Sequence, residues 1–305
     1  MAIFSTIFPS LPNYPGPYEV GSIELEIPIS EPRKFDLLQT KAETILVRFF
    51  YPTNNQSLSK GAVQPAWLPS PGLEYAKGYA KLFRQPLLPL SYAFSLLTCR
   101  ATIPAIQNAP PLIPSGTGLP VMIFSHGLVG SRNTYSQWCG SMAAHGIFVA
   151  AIEHRDGSAP ATIVHAGTKK QYTIPYRKIP VYDEETKNYR AMQLAQRTFE
   201  VSKLVALLRD INHGKKVNVI AEGNALLDMF KGTLNTERGK FIMAGHSFGA
   251  ATAVAACKDK ETISGDYSLK DEFQAAIMLD IWMMVTTHFE IFSNFSHLVL
   301  SLQQN

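Results

Sequence analysis

Cysteine is scarce in this chain, charge is sparse, and no uncharged apolar run is long enough to cross a membrane. Cys99, Cys139 and Cys257 lie far apart, with no C-x-x-C pair. Neither a zinc site nor a disulfide framework is implied, and free thiols in a reducing compartment are expected. Charged residues make up 17% of the chain, below the usual share of about a quarter. The formal net charge of +4 is spread without a dense Lys/Arg block. That gives no electrostatic case for nucleic acid as a partner and allows weak attraction to anionic lipid. No stretch reaches the roughly 18 apolar residues of a membrane span. The N-terminal residues MAIFSTIFPSLPNYPGPYEVG lack the basic start and apolar run of a secretory signal, and Ala2 excludes N-myristoylation. The expectation is a soluble, cytoplasmic protein, in which the sequons at Asn55 and Asn294 carry no meaning.

What is present is patterned. Hydrophobic residues at 46% suffice for a sizeable core, and 305 residues suit one large α/β domain or two small ones. Residues 22–29 and 44–51, bounded by proline turns, predict an edge antiparallel pair. In the segment 65–100, Tyr75, Tyr79, Leu82 and Phe83 fall at helical spacing and predict an amphipathic helix. A Pro/Gly-rich linker at 108–120 follows. Residues 121–125 and 147–152 are unbroken apolar runs suited to strands buried on both faces. Between them, 134–145 has helical composition and stops at Gly146. After a polar stretch at 159–186, residues 191–212 place Met192, Ala195, Phe199, Leu204, Val205, Leu208 and Ile211 on one helical face. Residues 241–244 predict a strand, 250–257 a small-residue helix, and 275–279 a strand ending at Asp280. Asp259, Glu261, Asp266, Asp271 and Glu272 read as a solvated loop. The repeated β-then-α order predicts a mostly parallel sheet with helices on both faces.

Between the strand at 241–244 and the helix at 250–257 stands Gly245-His246-Ser247-Phe248-Gly249. A G-x-S-x-G pentapeptide alone is a weak signal. Here an apolar strand precedes it and a run of alanines follows, the setting of the nucleophile elbow in the α/β-hydrolase fold. Ser247 is therefore the candidate nucleophile. A serine of ordinary pKa needs a base, a group that orients the base, and donors for the oxyanion. In this fold one donor is the backbone N–H after the nucleophile, here Phe248. The second comes from the loop after an earlier strand, where His126-Gly127-Leu128 makes the Leu128 N–H the candidate. His126 itself reads as a structural hydrogen-bonding residue, because the expected chain order is serine, acid, histidine. Asp280 ends the strand that follows the elbow, where functional residues of open α/β sheets gather, and is the candidate acid. Glu153 and Asp156 end an earlier strand and are expected to hold their loop through Arg155.

The segments FSHGLVGSR, HGIFVAAIEHRDGSA, GHSFGAATA and MLDIWMM, with GPYEVG and RFFYPT before them, resemble in this order the core of the platelet-activating factor acetylhydrolases over roughly residues 16–284. The resemblance implies an α/β-hydrolase fold and calcium-independent serine esterase chemistry without metal or organic cofactor. The implied substrates are the short or oxidised sn-2 acyl esters of platelet-activating-factor-like phospholipids. It also implies Ser247 as nucleophile, Asp280 as acid, and Leu128 and Phe248 as oxyanion donors. The aromatic segment at 75–83 would then make peripheral membrane contact, with a core helix as the alternative. The family's histidine lies well beyond its acid, and no matching position is found here. His288 and His297, the histidines after Asp280, read as incidental. A single domain over 1–305 is expected: N-terminal strands and amphipathic segment at 1–115, catalytic core at 116–284, and an atypical tail at 285–305, with the last strands of the sheet missing as in a truncated form. An inactive lipid-binding chain and a general carboxylesterase remain the competing readings.

Overall fold

The structure, a computed structural model, describes residues 11–54, 63–82, 98, 101–113, 116–179, 183–220, 224–260, 262–264, 267–282 and 299–302. The strands are β1 (Glu19–Phe35), β2 (Thr40–Thr53), β3 (Ile106–Gln107), β4 (Val121–Ser125), β5 (Phe148–Glu153), β6 (Ala161–Val164), β7 (Tyr172–Pro175), β8 (Phe241–His246), β9 (Thr262–Ser264), β10 (Tyr267–Ser268), β11 (Phe273–Leu279) and β12 (Val299–Leu302). The helices are α1 (Gly72–Leu82), α2 (Ser136–Ala144), α3 (Glu184–Asn212), α4 (Asn224–Leu227) and α5 (Phe248–Lys258).

Eight strands form one sheet in the order β12-β11-β8-β4-β5-β2-β1-β3. From β12 to β5 all neighbours are parallel, and β2 and β1 continue the sheet antiparallel. Every residue of β4 and β5 is buried, as expected for strands covered on both faces. Side-chain alternation divides the core. Val47, Phe49, Ile123, Phe148 and Ala150 face Val201, Leu204, Val205, Leu208 and Ile211 of α3. Phe50, Met122, Phe124, Val149 and Ala151 face Cys139, Ala143 and Ala144 of α2 on the opposite side. This is the α/β-hydrolase architecture. The chain leaves β4 toward β5 on one side and returns to β8 on the other, so the C-terminal ends of β4 and β8 flank the crevice where such sheets bind ligands.

The structure departs from the sequence expectations in four places, each with a physical cause. Helix α3 starts at Glu184, capped by Asp183, whose side chain accepts the Thr186 N–H at 2.8 Å. Its first half buries Gln193, Gln196, Arg197 and Glu200, while Met192 is half-buried and Ala195 exposed. That half packs over the polar loops that follow β4 and β5 instead of over the apolar sheet. Part of the polar stretch at 159–186 folds into the β6–β7 hairpin, whose first strand is covered by α1 through Tyr75, Ala76, Ala161 and Ile163. Tyr75 is therefore a core residue with no exposed surface, as the core-helix alternative has it; Phe83 lies outside the described residues. The tail, expected to leave the sheet short, supplies β12 in parallel register beside β11, Ala276 opposite Val299 through Leu279 opposite Leu302. Finally, Glu272 is fully buried and paired with Arg209, so it is not part of a solvated loop. Among the described residues no helix is long and apolar enough to cross a membrane.

Candidate active site

Ser247 sits between the end of β8 and the start of α5 with φ 53° and ψ −115°, a backbone conformation that a side chain with a Cβ rarely adopts. The two glycines of the pentapeptide make it possible. A Cβ on Gly249 would lie 2.0 Å from the Ser125 carbonyl oxygen, and one on Gly245 would lie 2.2 Å from the Gly249 carbonyl oxygen. Strand and helix can approach this closely only without those carbons. The register of β11 against β8 pairs Leu279 with His246, which sets Asp280 beside Ser247. Two main-chain hydrogen bonds lock that corner: Ser247 N–H to the Leu279 carbonyl at 2.9 Å and Trp282 N–H to the Ser247 carbonyl at 3.3 Å. Asp280 has φ 46° and an exposed carboxylate, 4.0 Å from His246 Nε2.

Leu128 lies in the loop after β4, and its side chain packs with Phe248, Leu194 and Trp282. The structure thus brings Ser247, Asp280, Leu128 and Phe248 to one end of the sheet. Among the described residues the Leu128 N–H has no acceptor, whereas the next one, Val129, donates to the Ser158 carbonyl at 2.8 Å. The Phe248 N–H is the first of α5 and has no acceptor within the helix. Two unsatisfied donors beside one strained serine form a site where negative charge on an oxygen would be stabilised.

The loops are held by polar side chains that are themselves buried. His126 Nε2 accepts the His154 N–H at 3.1 Å, so its Nδ1 carries the proton and donates to the Gly127 carbonyl at 2.8 Å. Burial and the neighbouring Arg197 charge push its pKa down to about 4. Arg197 is the hub. Its Nε pairs with Asp156 at 2.6 Å, Nη1 donates to the His126 carbonyl at 2.9 Å and to Thr252 of α5 at 3.2 Å, and Nη2 donates to Ser158 at 2.6 Å. Its guanidinium also lies 4.3 Å from the Phe248 ring centroid. Glu153 pairs with Arg132 at 2.7 Å and accepts from Tyr75 and Thr162, while Arg155 turns to Glu26 at 2.8 Å. Glu153 and Asp156 therefore hold their loops through Arg132 and Arg197, not through Arg155 as the sequence suggested. These partners are far away in the chain and leave no local pattern.

Two further groups of contacts escaped the sequence. The Tyr135 hydroxyl accepts the Gly127 N–H at 3.4 Å and lies 2.7 Å from His246 Nδ1, bridging the loop after β4 to the elbow. The Ser125 hydroxyl lies 2.8 Å from His154 Nε2, and His154 Nδ1 lies 2.7 Å from Glu200. This serine–histidine–carboxylate line has the spacing of a catalytic triad. All three groups are buried, so no ester can reach them. Burial and the charge of Asp156 push the Glu200 carboxyl up to about 8, and burial holds His154 well below its ordinary value. Both shifts favour the neutral forms, in which the carboxyl donates to Nδ1 while its other oxygen accepts from the Arg155 N–H and Gln196. His288 and His297 lie outside the described residues, and among the described residues no cluster of side chains has the makings of a metal site.

Several known proteins are similar to this chain. A putative phospholipase A2 of Schizosaccharomyces pombe is 35% identical over 292 residues, covering 90% of this chain and 65% of that protein. The platelet-activating factor acetylhydrolase of Bos taurus is 32% identical over 280 residues, covering 90% of this chain and 55% of that one. The chain thus spans between about half and two thirds of the length of these relatives. Among solved structures, a ferulic acid esterase from Streptomyces cinnamoneus aligns with a TM-score of 0.48 at 17% identity, over 88% of this chain and 61% of that one. Residues 5–300 match the family described as platelet-activating factor acetylhydrolase, isoform II, and the chain belongs to that family.

Proposed function

We propose that the chain is a serine esterase that hydrolyses the sn-2 acetyl or short acyl ester of platelet-activating-factor-like phospholipids. The observation that carries this is the strained Ser247 at φ 53° with the unsatisfied Leu128 and Phe248 N–H groups beside it. Family membership adds the class of ester. As Ser247 Oγ attacks the ester carbonyl, its proton passes to a general base that the sequence does not identify and from there to the departing lysolipid oxygen, while the carbonyl oxygen takes the negative charge against the two N–H groups. The tetrahedral intermediate collapses to an acyl-serine with loss of the lysolipid alcohol, and water then releases the short acid. Asp280, beside the serine, is the acid that would orient and stabilise a protonated base. No step calls for a metal or organic cofactor.

The test is release of acetate from 1-alkyl-2-acetylglycerophosphocholine by the purified chain, with Ser247→Ala as control. The expected outcome is turnover that falls about a thousandfold or more in the variant. A well-folded chain without turnover, or turnover that survives Ser247→Ala, refutes the reading.

A further inference from the structure

Among the described residues five arginines are buried: Arg48, Arg132, Arg155, Arg190 and Arg197. Taking a guanidinium out of water is costly unless opposite charge and hydrogen bonds replace the solvent. Four of the five have a carboxylate partner: Glu24 for Arg48, Glu24 and Glu153 for Arg132, Glu26 for Arg155, and Asp156 for Arg197. Arg190, 6% exposed, has none among the described residues. Its Nη1 donates to Gln193 at 2.6 Å, and its Nε is buried with no partner there. Gln193 is itself fixed through Nε2 to the Asp156 carbonyl at 2.8 Å, so the guanidinium is held in one orientation. It lies 5.7 Å from the Phe248 ring centroid and 5.6 Å from that of Trp282. Phe248 follows Ser247, and Trp282 donates its N–H to the Ser247 carbonyl. A positive charge with no carboxylate partner among the described residues therefore stands one aromatic ring away from the candidate nucleophile.

We infer that Arg190 binds the phosphate of the substrate, its guanidinium donating to a phosphodiester oxygen while the ester carbonyl lies at Ser247. This rests on the esterase reading above. The chemistry matches: a guanidinium donor and a phosphate monoanion make a strong charge-assisted hydrogen bond. The sn-2 ester and the phosphate hang on adjacent glycerol carbons, so both can reach groups separated by one ring. The Phe248 and Trp282 rings exclude water from the space around the charge, which strengthens its field there. A resident carboxylate would neutralise Arg190; among the described residues none does, which leaves the charge to the ligand.

The experiment compares kcat/KM for 1-alkyl-2-acetylglycerophosphocholine and for 1-alkyl-2-acetylglycerol, the same ester without phosphate, in the full chain and in Arg190→Met and Arg190→Lys. Arg190→Met is expected to cost the phosphate-bearing ester roughly 10- to 100-fold more than the phosphate-free one, chiefly through KM. Arg190→Lys should recover part of that loss. Equal losses on both esters, or none, overturn the inference. So does inhibition by inorganic phosphate that depends on Arg190 without discrimination between the esters, since the site would then take free phosphate. If Arg190→Met does not fold, Arg190→Lys carries the comparison, with a selective loss of about threefold or more expected. If a folded chain turns over neither ester, the esterase reading fails while this one is still decided. A non-hydrolysable diether phosphocholine and its phosphate-free counterpart are then titrated onto Ser247→Ala, followed by tryptophan fluorescence. Preference for the phosphate-bearing lipid that disappears on adding Arg190→Met upholds the site, and indifference to phosphate removes it.

Discussion

Arg197 ties the loop after β4, the loop after β5 and helix α5 to one guanidinium, and its partner Asp156 has no exposed surface. Removing one member of such a pair leaves a buried charge uncompensated. Arg197→Met is expected to lower the unfolding free energy by about 3–5 kcal/mol in urea titration, and Arg197→Lys by less, because it keeps the charge and loses the fork. His126 supplies a pH-dependent counterpart. Its folded pKa of about 4 lies below the ordinary value of 6.5, so the stability tied to its neutral form is complete above pH 6.5 and is lost as pH falls toward 4. The stability difference between the native chain and His126→Gln should therefore shrink by roughly 3 kcal/mol between pH 7 and pH 4. A pH-independent difference would mean that His126 is not held neutral. The sequence singled out His126 as a bonding residue from chain order. It could not name Arg197, since nothing in a helical pattern distinguishes a buried arginine from a solvated one until the tertiary partners are known.

The elbow is an element in which backbone crowding, not side-chain contact, sets the geometry. Gly249→Ala would drive a Cβ to 2.0 Å from the Ser125 carbonyl oxygen, an atom on the neighbouring strand β4 that cannot rotate away. A stability loss of about 1–3 kcal/mol in thermal melts is expected, accompanied by loss of the proposed esterase activity because Ser247 shifts with the turn. A variant that melts with the native chain would show that the strand and helix can part at no cost. The elbow, β4, β5 and β11 were legible because short apolar runs between turns have few other destinations. The first half of α3 was not. Its inward side is lined by Gln193, Gln196, Arg197 and Glu200, and a hydrophobic-face argument points such a segment the wrong way around. The β6–β7 hairpin was missed for the related reason that its burial comes from α1, an element distant in the chain.

Across the whole molecule, β12 is what β11 has on its outer side. Without it the N–H and C=O groups of β11 would face solvent along an open edge. Deleting residues 299–302 is expected to produce concentration-dependent association in light scattering and a lower melting temperature. A monodisperse variant with an unchanged melt would show that β12 adds nothing to the sheet. The front of the molecule also bears on the site. Glu24 of β1 and Glu153 of β5 both hold Arg132 in the loop after β4, so the antiparallel strands brace the segment that carries Leu128.

The sequence by itself determined the α/β order, the elbow with Ser247, and the pairing of Asp280 and Leu128 with it as candidates. Each depends on local pattern or on the end of a strand, which the chain order of a doubly covered sheet constrains. Only the tertiary structure decided which polar residues are buried and with whom. It paired Arg132 with Glu153 and Arg197 with Asp156, closed Ser125, His154 and Glu200 away from solvent, and left Arg190 without a carboxylate among the described residues. The physical reason is that burial costs and ion pairs are set by distances between segments far apart in the chain, and no local pattern encodes those distances.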